Sequence, residues 1–212
     1  MFKKLTSIAF AGLLLATSAS FAADPANTIN LQLKGGTVVI EMLPALAPQH
    51  VARIKELVGK GFYEGIIFHR VIPGFMAQTG DPTGTGTGGS GQHIKAEFTA
   101  EPFVRGTIGM ARSGDPDSGD SQFFIVTADS RFLDNQYTLW GKVISGMEFV
   151  DQIAKGEPPA SPDKIISMKM ADVTAATTPA LVPATTTETV PAPATVGEPA
   201  PAGTEGIPAS DE

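Results

Sequence analysis

Arg70 and Gln78 stand in one short stretch, FHRVIPGFMAQTGDP (68–82), in the company of Phe68, Phe75 and Met76. The breaker pair Pro73-Gly74 lies between them, so one strand turns and returns there, bringing a cation, an amide and large apolar side chains together. Such a set can hold an apolar side chain while a cationic hydrogen-bond donor touches the backbone beside it. An ordinary core hairpin needs neither Arg70 nor Gln78. Met110-Ala111-Arg112, Ser121-Gln122-Phe123-Phe124-Ile125 and Phe132-Leu133-Asp134 offer a second wall. Phe123 and Phe124 are neighbours on one predicted strand and must point to opposite faces, so one is free of the core.

Other chemistries fit less well. Gly84, Gly86 and Gly89 satisfy G-x-G-x-x-G, but no helical stripe follows Ser90-Gly91-Gln92 and no βαβ pattern surrounds it, so a surface loop is expected instead of a nucleotide site. Gly119-Asp120-Ser121, with His50 or His69, would be a nucleophile segment on paper. Gln122 and Phe123 then stand where a trypsin-like protease needs glycines for its oxyanion hole. Asp115, Asp117 and Asp120 crowd one loop without the glycine and glutamate that a calcium-binding loop requires. His69 has no second ligand-type residue at useful spacing and is read as a hydrogen-bonded core histidine. No metal or cofactor is expected.

The elements that must position the first constellation follow from periodicity. Residues 28–33 alternate Ile29, Leu31 and Leu33 with polar positions, Gly35-Gly36 turns the chain, and 37–42 returns as a second strand. Pro48 can open a helix whose apolar face is Val51, Ile54, Leu57 and Val58, ended by Gly59 and Gly61. Strands are predicted at 66–71, 75–78, 107–110, 122–126, 140–143 and 165–170. A second helical stripe runs through Met147, Val150, Ile153 and Ala154 to the Pro158-Pro159 break. Many short strands, Gly and Pro turns and two helices indicate a mainly β chain, a sandwich or barrel.

The chain has 212 residues, 42% of them hydrophobic, enough for one sizeable core with appendages. Its net charge of −7 comes without a basic cluster, which argues against nucleic acid. Lys3 and Lys4 precede a short apolar run (8–16) and Ser20-Phe21-Ala22, the pattern of a cleaved export signal over 1–22. That run falls short of the ~20 residues that span a bilayer, so export to the periplasm, or secretion where there is no outer membrane, is expected without a membrane anchor. There is no cysteine, hence no disulfide and no lipid-attachment site. Residues 174–212 are rich in Ala, Pro, Thr and Glu, with five acidic and no basic or aromatic side chains, and are expected to be a disordered acidic tail.

The segments GFYEGIIFHRVIPGFMAQTGDPTGTGTGG (61–89), GTIGMAR (106–112), DSQFFI (120–125), RFLDNQYTLWGKV (131–143) and GMEFVDQI (146–153) resemble those of a cyclophilin, the peptidyl-prolyl cis-trans isomerase family, over about 28–173. The resemblance is closest to bacterial exported members. It implies a closed eight-stranded antiparallel β-barrel capped by two α-helices, filling 23–173, that accelerates X-Pro bond rotation and assists the folding of exported proteins. It also implies Arg70 as the catalytic arginine, Gln78 and Gln122 along the peptide backbone, and Phe75, Met76, Phe124 and Leu133 around the proline ring. Ala111 and Arg112 would lie along the substrate, Arg112 offering its backbone. Phe132 and Tyr137 occupy positions where tryptophan and histidine are usual in eukaryotic members. Phe132 lacks the indole N–H that the inhibitor cyclosporin uses, so weak cyclosporin binding is expected. The expected partners are proline-containing unfolded or flexible polypeptides, and the protein is expected to be a monomer. A peptide-binding chaperone with secondary isomerase activity, and a scaffold acting through its tail, are the alternatives.

Overall fold

The computed structural model describes residues 24–172; the expected export signal (1–22) and acidic tail (174–212) lie outside the described residues. The strands are β1 (Thr28–Gln32), β2 (Thr37–Met42), β3 (Arg70–Ile72), β4 (Met76–Thr79), β5 (Thr107–Met110), β6 (Phe123–Val126), β7 (Leu139–Ser145) and β8 (Ser167–Met170). The helices are α1 (Pro48–Gly59) and α2 (Met147–Asp151). The strands form one antiparallel sheet in the order β3-β4-β6-β5-β7-β2-β1-β8.

Alternation does what the sequence predicts. Ile29 and Leu31 on β1 and Val38, Ile40 and Met42 on β2 are all buried in one cluster, which also takes Val51, Ile54, Leu57 and Val58 from α1 and Val150 and Ile153 from the α2 region. Each such side chain withdrawn from water contributes about 1.5 to 3 kcal/mol. At the centre Phe123 meets Tyr63 and Trp140 edge-on, with ring centroids 5.6 Å apart in both pairs. The Tyr63 hydroxyl donates to the Ser121 carbonyl at 3.0 Å, so the polar end of this buried ring is satisfied.

The expected closed barrel is met only in a coarser form. The sheet is open and curled, because β3 and β8 are its two edges and no ladder joins them. Irregular chain just ahead of each edge does the joining: Gly65 N–H donates to Ile165 O, Ile165 N–H to Ile66 O, and Phe68 N–H to Asp163 O, at 2.8 to 2.9 Å. The strand predicted over 66–71 therefore shrinks to β3, with a single bridge from Ile67 to Lys164. Its partner segment contains Pro162, which cannot donate to a ladder.

Helix α1 begins at Pro48 and has no cap from its own Ala47. Glu97, 47 residues beyond His50, takes that place: its carboxylate accepts from Gln49 N–H at 3.1 Å, His50 N–H at 3.0 Å and His50 Nδ1 at 2.7 Å. A carboxylate at a helix N-terminus answers both the orphan N–H groups and the positive end of the helix dipole.

Candidate active site

Strands β3 and β4 form the predicted hairpin, turning at Pro73-Gly74 where Gly74 takes φ 69°. Its register sets Arg70 opposite Gln78 and Ile72 opposite Met76. β4 then pairs with β6 so that Gln78 lies opposite Phe124, and β6 pairs with β5 so that Phe124 lies opposite Gly109. Two adjacent strands, β4 and β6, thus carry Met76, Gln78 and Phe124 on the face turned away from the central cluster. Phe123 is in that central cluster, while Phe124 joins a second one with Met76, Phe103, Val126, Leu133 and Leu139.

Over this second cluster lies a cavity of about 110 Å³ lined by Arg70, Phe75, Met76, Gln78, Ala111, Arg112, Phe124, Leu133 and Tyr137. It is far smaller than the ~300 to 1,000 Å³ of drug-sized sites, a scale suited to one compact side chain. Gly109 makes its floor possible: a Cβ there would stand 2.3 Å from Phe124 Cζ and 2.8 Å from Phe103 Cε1. The Phe124 ring stacks on Phe103 and meets Tyr137 edge-on. Leu133 is delivered by a 3-10 turn (Arg131–Leu133), fixed by Asp134, which accepts from Phe103 N–H at 2.8 Å and from Arg131 Nε. Those two hydrogen bonds, the Phe103 one first, hold the Asp134 carboxyl below the usual carboxylate range.

The polar side of the cavity is a relay. Gln78 Nε2 donates to Gln122 Oε1 at 2.9 Å, and Gln122 Nε2 donates to Gly86 O and Gly88 O at 3.0 and 2.8 Å. The Gly-rich loop holding those carbonyls is wrapped around Asp81, a fully buried carboxylate that accepts from the N–H groups of Thr83, Thr85, Gly86 and Gly88. Burial alone would raise the Asp81 pKa, but the hydrogen bonds from Thr83, Gly88 and Gly86 outweigh it and hold the group well below the carboxylate range. The G-x-G-x-x-G segment is thus a loop, as expected, but one anchored on Asp81.

Arg70 lies beside Gln78, its cross-strand partner, half exposed, with its Nε donating to Glu157 Oε2 at 2.7 Å. Among the described residues no other hydrogen bond engages its guanidinium, so both Nη groups are free. The Arg112 side chain is pinned: Nε and Nη2 donate to Gln136 O, Nη1 donates to Ser113 O, and the guanidinium lies 4.6 Å from the Tyr137 ring centroid. Its backbone N–H and C=O find no partner among the described residues and are open to an extended chain.

Of the residues singled out from sequence, Gln122 and Phe132 are not in the cavity lining. Gln122 stands behind Gln78, and Phe132 is a rim residue, 63% exposed, packed on Phe75 with ring centroids 5.2 Å apart. His69 is buried as expected but not hydrogen-bonded, since both ring nitrogens lack a partner; burial pushes its pKa below the ordinary histidine value. Asp115, Asp117 and Asp120 face different ways, serving Asp117 N–H, Ala96 N–H, and Ser90 Oγ with Gly91 N–H respectively. Sequence reasoning missed Asp81, Gly109, Phe103 and Glu157. Only Asp81 had a signal, its position at the head of a Thr/Gly run of potential donors.

Residues 28–170 match the family described as cyclophilin type peptidyl-prolyl cis-trans isomerase/CLD. A probable peptidyl-prolyl cis-trans isomerase of Brucella suis is 52% identical over 180 residues, covering 76% of this chain and 92% of that protein. Peptidyl-prolyl cis-trans isomerase B of Bacillus subtilis is 45% identical over 125 residues, covering 58% and 87%. Among solved structures, cyclophilin AquaCyp293 of Hirschia baltica superimposes with a TM-score of 0.65 at 32% identity, covering 70% of this chain and 75% of its own. A Cryptosporidium parvum cyclophilin type isomerase, crystallised in the presence of the dipeptide Ala-Pro, gives 0.64 at 28% identity, covering 68% and 99%.

Proposed function

Because the chain belongs to the cyclophilin-type peptidyl-prolyl cis-trans isomerase family and is an enzyme of that class, we propose that the cavity beside Arg70 is where it turns the X-Pro bond. The observation that carries this reading is one concavity joining the free Nη groups of Arg70 to an apolar wall of Phe75, Met76, Phe124 and Leu133. A proline ring fits such a wall, and the presence of Ala-Pro with the Cryptosporidium relative points to the same ligand chemistry.

Rotation about an amide faces a barrier of ~18 to 20 kcal/mol because resonance stiffens the C–N bond, while cis and trans X-Pro differ by only about 0.5 to 1 kcal/mol. The task is therefore kinetic. In the twisted state the prolyl nitrogen regains its lone pair and can accept a hydrogen bond. An Arg70 Nη–H aimed at that nitrogen stabilises the twisted state over both planar ones. Raising the rate from about one event per hundred seconds to ~10² to 10³ per second requires roughly 5 to 7 kcal/mol. One charged hydrogen bond is worth about 1.5 to 3 kcal/mol. The remainder comes from grip: the apolar wall fixes the ring, while Gln78 and the open Arg112 backbone hold the flanking chain, so rotation is confined to the bond that must turn. No step needs a proton transfer.

The clients of this reading are exported polypeptides whose folding waits on proline. Lys3, Lys4 and the short apolar run support export to a periplasm or beyond, with the acidic tail as a spacer and the enzyme acting as a monomer. Titrating the 15N-labelled protein with an Ala-Pro peptide tests the site: shifts should centre on Phe75, Met76, Gln78, Ala111, Arg112 and Phe124. Shifts confined to another face would overturn it. Cell fractionation tests export separately.

A further inference from the structure

Arg70 sits on β3, an edge of the sheet, and that edge is not bare. Val71 and Gly156 exchange both backbone hydrogen bonds, Val71 N–H to Gly156 O at 2.8 Å and Gly156 N–H to Val71 O at 2.9 Å, as an isolated antiparallel bridge. In an antiparallel pairing the neighbours on either side of such a bridge also face one another, at the closer, non-hydrogen-bonded spacing. Arg70 and Glu157 are those neighbours, and Nε donates to Oε2 at 2.7 Å. Only glycine fits at the bridge: Gly156 takes φ 144°, and a Cβ there would stand 2.7 Å from Pro159 Cα.

We propose that Glu157 is a positioning residue for the isomerase reaction, holding the Arg70 guanidinium by its Nε edge so that both Nη groups face the prolyl amide. This rests on the reading of Arg70 as the group that touches the twisted nitrogen. An arginine side chain has many rotamers, and one fixed before the substrate arrives loses less freedom at the transition state. The carboxylate takes the one N–H that points away from the fork and leaves the fork itself unoccupied. Both partners are about half exposed, 43% for Arg70 and 52% for Glu157, so the pair adds little to the stability of the fold. Its value lies in geometry.

The test measures on-enzyme exchange rate and affinity for an Ala-Pro peptide by NMR, with Tm as control, in wild type, Glu157→Ala, Glu157→Gln, Arg70→Ala, Arg70→Lys and the double variant Arg70→Lys/Glu157→Ala. Glu157→Ala should lower the rate roughly five- to tenfold, short of the ~100-fold that a 1 Å misplacement can cost, with affinity within about twofold and Tm unchanged. Glu157→Gln, which keeps an oxygen acceptor, should fall in between, and the Arg70 Nε–H resonance should be seen in wild type and Glu157→Gln but lost in Glu157→Ala. Lysine has no Nε–H, so Glu157→Ala should add under about twofold in the Arg70→Lys background. A wild-type or faster rate in Glu157→Ala, or an equal loss in both backgrounds, overturns the positioning role. Wild-type activity in Arg70→Ala overturns the reading of Arg70 itself.

Discussion

Gln78 reaches the cavity with its amide already committed: Nε2 donates to Gln122 Oε1 at 2.9 Å, and Gln122 is clamped by the carbonyls of Gly86 and Gly88. The chain from buried Asp81 through the glycine loop to Gln122 fixes which face of Gln78 is turned to the cavity. Gln122→Ala should therefore weaken peptide binding without touching the apolar wall. The loss of one oriented hydrogen bond is worth about 1 kcal/mol, roughly a fivefold rise in KM with kcat little changed. Steady-state kinetics on an Ala-Pro peptide check it; a fall in kcat alone would show that the relay serves the rotation step.

Acid should loosen the fold in two stages. Burial lowers the pKa of His50, against the raising influence of Glu97, and burial lowers that of His69 as well. The unfolded chain then takes up these protons first as pH drops below about 6.5, so it binds more protons than the native state and stability falls. The native carboxylates of Asp81 and Glu97 are hydrogen-bonded and depressed despite burial. Their contribution is complete above the unfolded value of about 4 and is lost as pH falls through the folded ones. Urea midpoints should decline from pH 7.5 to 5 and again below 4, and His69→Leu should flatten the first decline. Glu97→Ala, which uncaps α1 and strands the His50 donor, should cost about 2 to 4 kcal/mol at pH 7.

Gly109 allows the Phe124 ring to lie flat on β5. Gly109→Ala forces that ring, or Phe103 beneath it, to move, because the added methyl would overlap both. The expected cost is about 1 to 3 kcal/mol of stability from overpacking. Displacement of Phe124 toward the cavity should also weaken peptide binding roughly tenfold, about 1.4 kcal/mol. Calorimetry and peptide titration of the same variant separate the two effects.

Phe132 presents an exposed ring with no polar edge where an indole would offer an N–H donor. Phe132→Trp should raise cyclosporin affinity about tenfold, the worth of one hydrogen bond of about 1.4 kcal/mol, and leave isomerase activity within about twofold. Isothermal titration checks the first and an exchange assay the second.

Much of the candidate site was legible because it is local. Arg70, Gln78, Phe75 and Met76 share one hairpin, and period-two alternation alone separated Phe123 from Phe124. The role of Arg112 and the place of Tyr137 came from the resemblance, and their stacking from the structure. What the sequence withheld depends on distant chain. Glu157 meets Arg70 across 87 residues, Glu97 caps a helix 47 residues away, and Gly109 matters only because of the ring opposite it. Alternation says which way a side chain faces, not which strand lies beside it. That is why the strands could be read but the unjoined edges at β3 and β8 could not, and why Phe132 was assigned to a wall when it stands at the rim.

On the proposed mechanism Arg70 lowers the barrier and does not merely bind. Magnetisation-exchange NMR of an Ala-Pro peptide, with wild type and Arg70→Ala each at saturating peptide, reads this directly. Wild type should exchange the cis and trans signals at ~10² to 10³ per second on the enzyme. Arg70→Ala should bind within a fewfold of wild type yet exchange slower by roughly 10- to 100-fold, the 1.5 to 3 kcal/mol of a charged hydrogen bond. Exchange in Arg70→Ala equal to wild type at full occupancy would leave Arg70 no part in the rotation.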